Sequence, residues 1–281
     1  MTTGVFAMVL AAALLHAAWN ALVKINADRL VMIAIMMMSQ VAAALLVVPF
    51  VAPPTPESWP FIAASTVLNT AYCVFLIKAY SHGDLSHVYP LSRGSAPLIV
   101  AAISVFIIGE TLTRQAGLSV VVIALGIMSL ALTRGAAGFT QPTAIFYALG
   151  TGIFIAGYTI VDGMGARLAE SAHSYTFWVH LFNGIPIALL ALYLRRGQVL
   201  RSVRKAWKVG VLGGMISLLA YWIVIWAMTL APMALVSAVR ETSMVFAVLI
   251  GVLLLKERLD LARLASIGMT LIGTVMLKMS R

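Results

Sequence analysis

Apolar runs separated by short polar breaks fill this chain from end to end. A helix needs about 20 apolar residues to cross the hydrocarbon core of a bilayer. Ten runs meet that length. They predict helices over 4–24, 30–50, 61–81, 86–108 and 115–133, then over 143–162, 173–194, 209–230, 233–255 and 261–277. Between them, Val51 to Pro60 is proline-rich and reads as a rigid loop, because proline fixes φ and removes a donor. Arg134 to Pro142 is glycine-rich and reads as a linker between halves. Arg195 to Lys208 reads as a basic loop.

The two halves repeat. Arg93, set between Pro90 and Pro97 in the fourth run, has a counterpart in Arg240 of the ninth, 147 positions later. Glu110 and Glu257 keep the same offset at the ends of those runs, as do Gly126 and Gly273 in the runs that follow. The first and sixth runs match more loosely, His16 to Asn20 lying against Ile155 to Thr159. Five helices is an odd number, so the second half must enter the bilayer in the opposite sense. The expected fold is an all-α integral membrane protein of ten transmembrane helices, arranged as two inverted five-helix repeats over 1–135 and 142–281. Carriers of this kind place substrate near the midplane, where the repeats meet.

Composition narrows the class. Hydrophobic residues make up 62% of the chain and charged residues 10%, with mean hydropathy +1.02. A soluble domain has about 45–50% and about 25%, so this chain cannot clothe itself in polar surface. The first run has no basic residue before it and continues to Lys24, which reads as a first span and not a cleaved leader. Cys73 is the only cysteine, so no disulfide forms within the chain. The net charge of +10 would point to nucleic acid in a soluble protein. Here the basic residues sit mainly in loops, where they orient the chain and meet anionic lipid, above all near Arg195–Lys208; nucleic acid is not expected as a partner. With both termini outside, the cytoplasmic side holds Lys24, Arg29, Arg134, the basic cluster, Lys256, Arg258 and Arg263. The other side holds Arg114, Arg167, Lys278 and Arg281, so the bias favours that orientation.

The candidate chemistry is inside the spans. A charge at mid-membrane is costly and normally faces protein or a wet cavity. Arg93 is placed in the cavity, against the alternative of an arginine that snorkels to an interface or bonds helix-end carbonyls; Pro90 and Pro97 free carbonyls that it could satisfy. Arg240 is a candidate for substrate or proton handling, against the alternative of a buried Arg–Glu arrangement that neutralises itself with the fourth or eighth span. Adjacent residues on a helix point about 100° apart, so Arg240 and Glu241 are expected to need separate partners. Guanidinium groups bind carboxylate or phosphate bidentately, which suits an anionic or zwitterionic metabolite. Glu241 is the better candidate for proton coupling. Asp162 is the second, although a helix-end position at the interface is preferred for it. Glu110 and Glu257 are expected to cap or anchor the breaks that follow their own spans. Tyr89 shares a face with Arg93, as Tyr158 does with Asp162 and Trp222 with Trp226. With Trp19 and Asn20 they complete the candidate substrate-binding set. No spacing points to a metal or a cofactor.

His16 to Lys24, Tyr89 to Pro97, Gly109-Glu110-Thr-Leu and Leu254-Leu-Lys-Glu257-Arg-Leu together resemble the EamA family of the drug/metabolite transporter superfamily. The resemblance spans essentially the whole chain as two tandem repeats. It implies a ten-helix carrier of the cell (inner or plasma) membrane that moves small metabolites, often outward, by alternating access. Similar members handle amino acids, sugars, nucleotide precursors, lipid-linked sugars or toxic compounds. The expectation is therefore an exporter of a small polar metabolite, zwitterionic or anionic. A flippase for a lipid-linked anionic head group and a multidrug or cation exporter stay open as alternatives, and so does a homodimer. An intramembrane enzyme would need a nucleophile–base pair or a metal motif, and the sequence has neither.

Overall fold

The structure, a computed structural model, describes residues 1–24, 28–82, 85–132, 141–195, 199–253, 256 and 260–280. The first repeat contributes α1 (Thr3–Lys24), α2 (Arg29–Val47), α3 (Trp59–His82), α4 (Leu85–Phe106) and α5 (Arg114–Leu132). The second contributes α6 (Pro142–Leu168), α7 (Ala172–Arg195), α8 (Val199–Leu230), α9 (Met233–Arg240), α10 (Ser243–Leu253) and α11 (Leu261–Met279). Among the described residues there are ten spans long and apolar enough to cross a membrane, α9 and α10 together forming the ninth.

The repeats interlock. α3 packs along α6 as α1 packs along α8; α4 crosses α6 as α9 and α10 cross α1. The last spans, α5 and α11, pair with each other, and their contact carries the pseudo-twofold relation residue by residue. A Cβ on Gly126 would stand 2.9 Å from the Thr270 nitrogen, and one on Gly273 would stand 2.9 Å from the Ile123 nitrogen. Thr270 is the repeat counterpart of Ile123, so one close approach occurs twice. Ser266 Oγ donates to the Gly126 carbonyl, while Gly273 abuts the carbonyl of Ser119, the counterpart of Ser266. Small residues let backbones approach in a medium that offers helices no hydrophobic gain from association. The proline-rich loop is fastened to the other repeat: Ser58 Oγ donates to the Gly165 carbonyl at 3.1 Å and Thr55 Oγ1 to that of Leu168 at 3.1 Å.

Three boundaries depart from the hydrophobic pattern. α6 continues past Asp162 to Leu168, because Asp162 is buried in the bundle and does not mark an interface. α8 starts at Val199, so Arg201 to Lys208 belong to a helix and not to a loop. Apolar residues interleave the basic ones there, and Ala206 and Val209 pack with Trp19 and Met32. Arg196 lies outside the described residues. The ninth span is broken at Glu241–Thr242, within the polar run Arg240 to Ser243, where the expected helix ran straight through.

Candidate functional site

α4 stays helical across Pro90 and Pro97. Each proline removes one donor from the ladder, and neighbouring hydroxyls bond back to the helix. Ser92 Oγ donates to the Tyr89 carbonyl at 3.0 Å and Ser95 Oγ to that of Ser92 at 3.1 Å. Residues 90–97 are buried without interruption. Two glycines press this segment between neighbours. Gly94 faces α5 at Met128, and Gly152 of α6 faces Ser92 and Ser95. Arg93 is thereby held deep in the bundle, 3% exposed.

The ninth span reaches the same depth differently. α9 has eight residues, all buried. It ends at Arg240, and the next two residues form a turn. The turn tightens to shorter-range bonding: Thr242 N donates to the Val239 carbonyl at 3.0 Å and Met244 N to that of Glu241 at 3.0 Å. Thr242 Oγ1 adds a second bond to the Val239 carbonyl at 2.7 Å. Carbonyls that a break would orphan in a membrane are thus satisfied within the segment.

That turn overturns the expectation that Arg240 and Glu241 face apart. Arg240 Nη2 and Nε reach Glu241 Oε1 at 3.3 and 3.4 Å, and Arg240 Nη2 reaches Thr159 Oγ1 of α6 at 3.5 Å. The other carboxylate oxygen, Oε2, stands 2.9 Å from Arg93 Nε. One carboxylate, fully buried, therefore joins an arginine of each repeat (Arg240 2% and Arg93 3% exposed). The Arg93–Glu241 contact is electrostatic, without hydrogen-bond alignment, and among the described residues no atom accepts from Arg93 Nη2. Arg93 thus meets a carboxylate of the other repeat, not the carbonyls its prolines free.

Of the aromatic candidates, Tyr89 and Tyr158 lie within electrostatic reach of both arginines and of Glu241. So does His16 with respect to both arginines. Tyr158 packs edge-on against Tyr72 and Tyr221, with ring centroids 5.8 and 6.1 Å apart. The remaining candidates lie elsewhere. Trp222 donates to His173 Nδ1 at 2.7 Å and packs on Phe177 at the α7–α8 contact. Asn20 donates back to the His16 carbonyl at 2.7 Å. Trp19 packs edge-on against His16 at 4.9 Å and otherwise into the α1–α2–α8 cluster. Trp226 packs against the central core.

Asp162 forms a second polar centre. It accepts from Tyr221 at 2.5 Å and Tyr175 at 3.2 Å, wholly buried among α3, α6, α7 and α8. Ser65 and Asn183 continue this network, with Asn183 Nδ2 3.5 Å from Ser65 Oγ. The pattern of apolar positions hid it, since a carboxylate near the end of an apolar run looks the same at an interface or in a core. Thr159, Tyr175 and Arg167 carried no motif that could single them out.

Glu110 caps a helix of the opposite repeat, not the break after its own span. Its two oxygens accept from Met233 N at 3.1 and 2.9 Å, at the first turn of α9. Arg167 of α6 donates to Glu110 Oε1 at 2.6 Å and to the Met228 and Ala231 carbonyls at 2.8 and 3.0 Å. α9 is thus tied to the first repeat at both ends, by Glu110 at its start and by Arg93 through Glu241 at its end. Glu257 lies outside the described residues.

A tenfold-spanning membrane bundle with a buried ionic centre between two interlocked repeats is the architecture of a carrier. The EamA-like transporter family matches this chain twice, over residues 2–132 and 142–279, and the chain belongs to that family, a member of the drug/metabolite transporter superfamily. It is a multi-pass integral membrane protein with two tandem EamA repeats. Among solved structures it is similar to one described only as a crystal structure of a protein, at 16% identity and TM-score 0.76 over 99% of each chain. That likeness concerns the fold. No match is found among curated proteins.

Proposed function

We propose that this chain is a secondary transporter that exports a small polar metabolite carrying a carboxylate or similar anionic group, with or without an ammonium group, across the plasma or inner membrane. The repeats, taken as 1–135 and 142–281, rock about a site containing Arg93 and Arg240, with Tyr89 and Tyr158 beside them. The observation that carries this reading is the convergence of two guanidinium groups, one per repeat, on a single buried carboxylate. Planar guanidinium is suited to carboxylate and phosphate, and a dry site strengthens the attraction. Alternating access needs a centre that both halves share, and this one is built from both.

Asp162 supports a second reading. A buried carboxylate whose donors are neutral tyrosines suits a cation or a proton, which a cation exporter would use. One experiment separates the two. Purified protein is melted with amino acids, phosphonates, sugar phosphates and cationic dyes, for wild type, Arg93→Ala and Arg240→Ala. Ligand at about 100 times its Kd adds roughly 2.7 kcal/mol of stability, a readable rise in Tm. Stabilisation by an anionic or zwitterionic compound, abolished in both variants, is expected. Stabilisation by cations alone, unchanged in folded variants, would move the site to Asp162.

A further inference from the structure

Taking the arginine site of the preceding section as its basis, we infer that Glu241 is a tethered competitor for a monoanionic substrate group: its carboxylate occupies the seat on Arg93 that the substrate takes, and substrate entry breaks the ion pair linking the two repeats.

The charge count comes first. Two arginines and one glutamate leave one positive charge in excess in a centre at most 3% exposed. A buried charge without a contacting counter-charge is costly. Asp162 lies within electrostatic reach of Arg240, but its oxygens are engaged by Tyr175 and Tyr221 and touch neither guanidinium. The group that completes the centre therefore carries one negative charge in the contact shell. A dianion would overcompensate it unless Glu241 left altogether.

The geometry says which bond yields. Glu241 Oε1 is shared by two nitrogens of Arg240, its chain neighbour. Its contact with Arg93 is a single unaligned approach at 2.9 Å, and Arg93 Nη2 has no acceptor among the described residues. A carboxylate that met Arg93 through both nitrogens would make the two parallel bonds that Glu241 does not make. Ser237 Oγ, also without a partner among the described residues, stands on the same face of α9 as Arg240 and Glu241 by helical spacing. It offers a hydroxyl donor to the same group. Glu241 can withdraw because it sits in the turn between α9 and α10, not in a helix interior.

The consequence is mechanical. Arg93 belongs to α4 and Glu241 to the second repeat. Replacing Glu241 by substrate on Arg93 uncouples the repeats at the midplane, and its return after release restores the link. Substrate affinity is spent on opening the centre, so a variant without the competitor binds more tightly.

The test titrates acetate, glycine, succinate and inorganic phosphate against melting temperature in detergent. Glu241→Gln is expected to lower the apparent Kd for acetate or glycine by about tenfold relative to wild type, and Arg93→Gln to raise it by about tenfold or more. The double variant Arg93→Gln with Glu241→Gln keeps the net charge of the centre, so it is expected to fold like wild type while losing the response. If Glu241→Gln binds no more tightly than wild type, and Arg93→Gln still loses binding, Glu241 is not a competitor although the arginine site stands. If glycine and acetate stabilise neither wild type nor Glu241→Gln, or if Arg93→Gln responds like wild type, the arginine site itself is wrong. A stronger response to succinate or phosphate than to either monocarboxylate in wild type would overturn the single-charge assignment. Should Glu241→Gln not fold, the double variant decides: a retained response to acetate or glycine overturns the proposal.

Discussion

The fourth and ninth spans hold equivalent places in the two repeats, yet they solve the same problem in opposite ways. α4 contains two prolines and runs on as one helix. The ninth has no proline after Pro232 and stops at Arg240. Proline content alone would assign the break to the wrong span. In α4 tight packing on α5 and α6 holds the helix across the two missing donors. In the ninth span a continuous helix would hold Arg240 and Glu241 about 100° apart, leaving each charge to find its own partner. Their two long side chains nevertheless meet, and the same carboxylate reaches Arg93. The spans converge again at their ends. Gly109 and Lys256, separated by the repeat offset, both adopt left-handed backbone, at φ 81° and 54°. After Gly109, Glu110 N donates to the Ser104 carbonyl at 2.8 Å, folding the chain back onto the end of α4.

The comparison can be broken most severely at Glu241. Glu241→Ala strands two buried arginines, and removing one partner of a buried ionic centre costs about 3–5 kcal/mol. Melting in detergent is expected to show a large loss, greater than for any substitution in α4 apart from Arg93. Survival of the full wild-type Tm would mean that the turn, not the charge, holds the ninth span. Next comes the outer anchor. Glu110→Gln weakens both the cap on α9 and the partly exposed pair with Arg167, for about 1 kcal/mol. Hydrogen exchange should then rise at Met233 and the turn of α9 after it, while α4 stays protected; equal loosening of α4 would show that Glu110 serves its own span.

The smallest effect is at the ends. A non-glycine residue in left-handed backbone costs roughly 1–2 kcal/mol, partly offset by the extra freedom glycine gives the unfolded chain. Lys256→Gly should therefore be neutral or raise stability by up to about 1 kcal/mol, whereas Gly109→Lys should lower it. A calorimetric comparison of the two variants gives the sign, and a loss in both would mean that the two ends are not equivalent.

Much of the fold was legible before any coordinates. Ten spans follow from the length of the apolar runs, because a bilayer demands a minimum length and tolerates little charge within it. The duplication follows from Arg93 with Arg240, Glu110 with Glu257 and Gly126 with Gly273 at one offset. The odd number of spans per repeat then dictates inversion. Both arginines stood out because a charge in hydrocarbon is rare, and that signal is local. Boundaries were less legible where polar residues served the interior: Asp162 looked like the end of a helix, and the basic stretch before Val209 looked like a loop.

Only the tertiary structure decided what those charges do. Arg93 and Glu241 belong to different repeats, as do Glu110 and Met233, and nothing in the periodicity of either segment encodes the other. Trp222 and Trp226 shared a helical face, as expected; Trp222 bonds His173 and Trp226 packs in the central core. The polar run Arg240 to Ser243 marks the place of the turn in the sequence, but buried charges in a continuous helix would give the same pattern. Glu241 meets there an arginine contributed by the opposite half of the bundle, and the energy of a buried charge is set by whichever group the fold brings within about 4 Å of it.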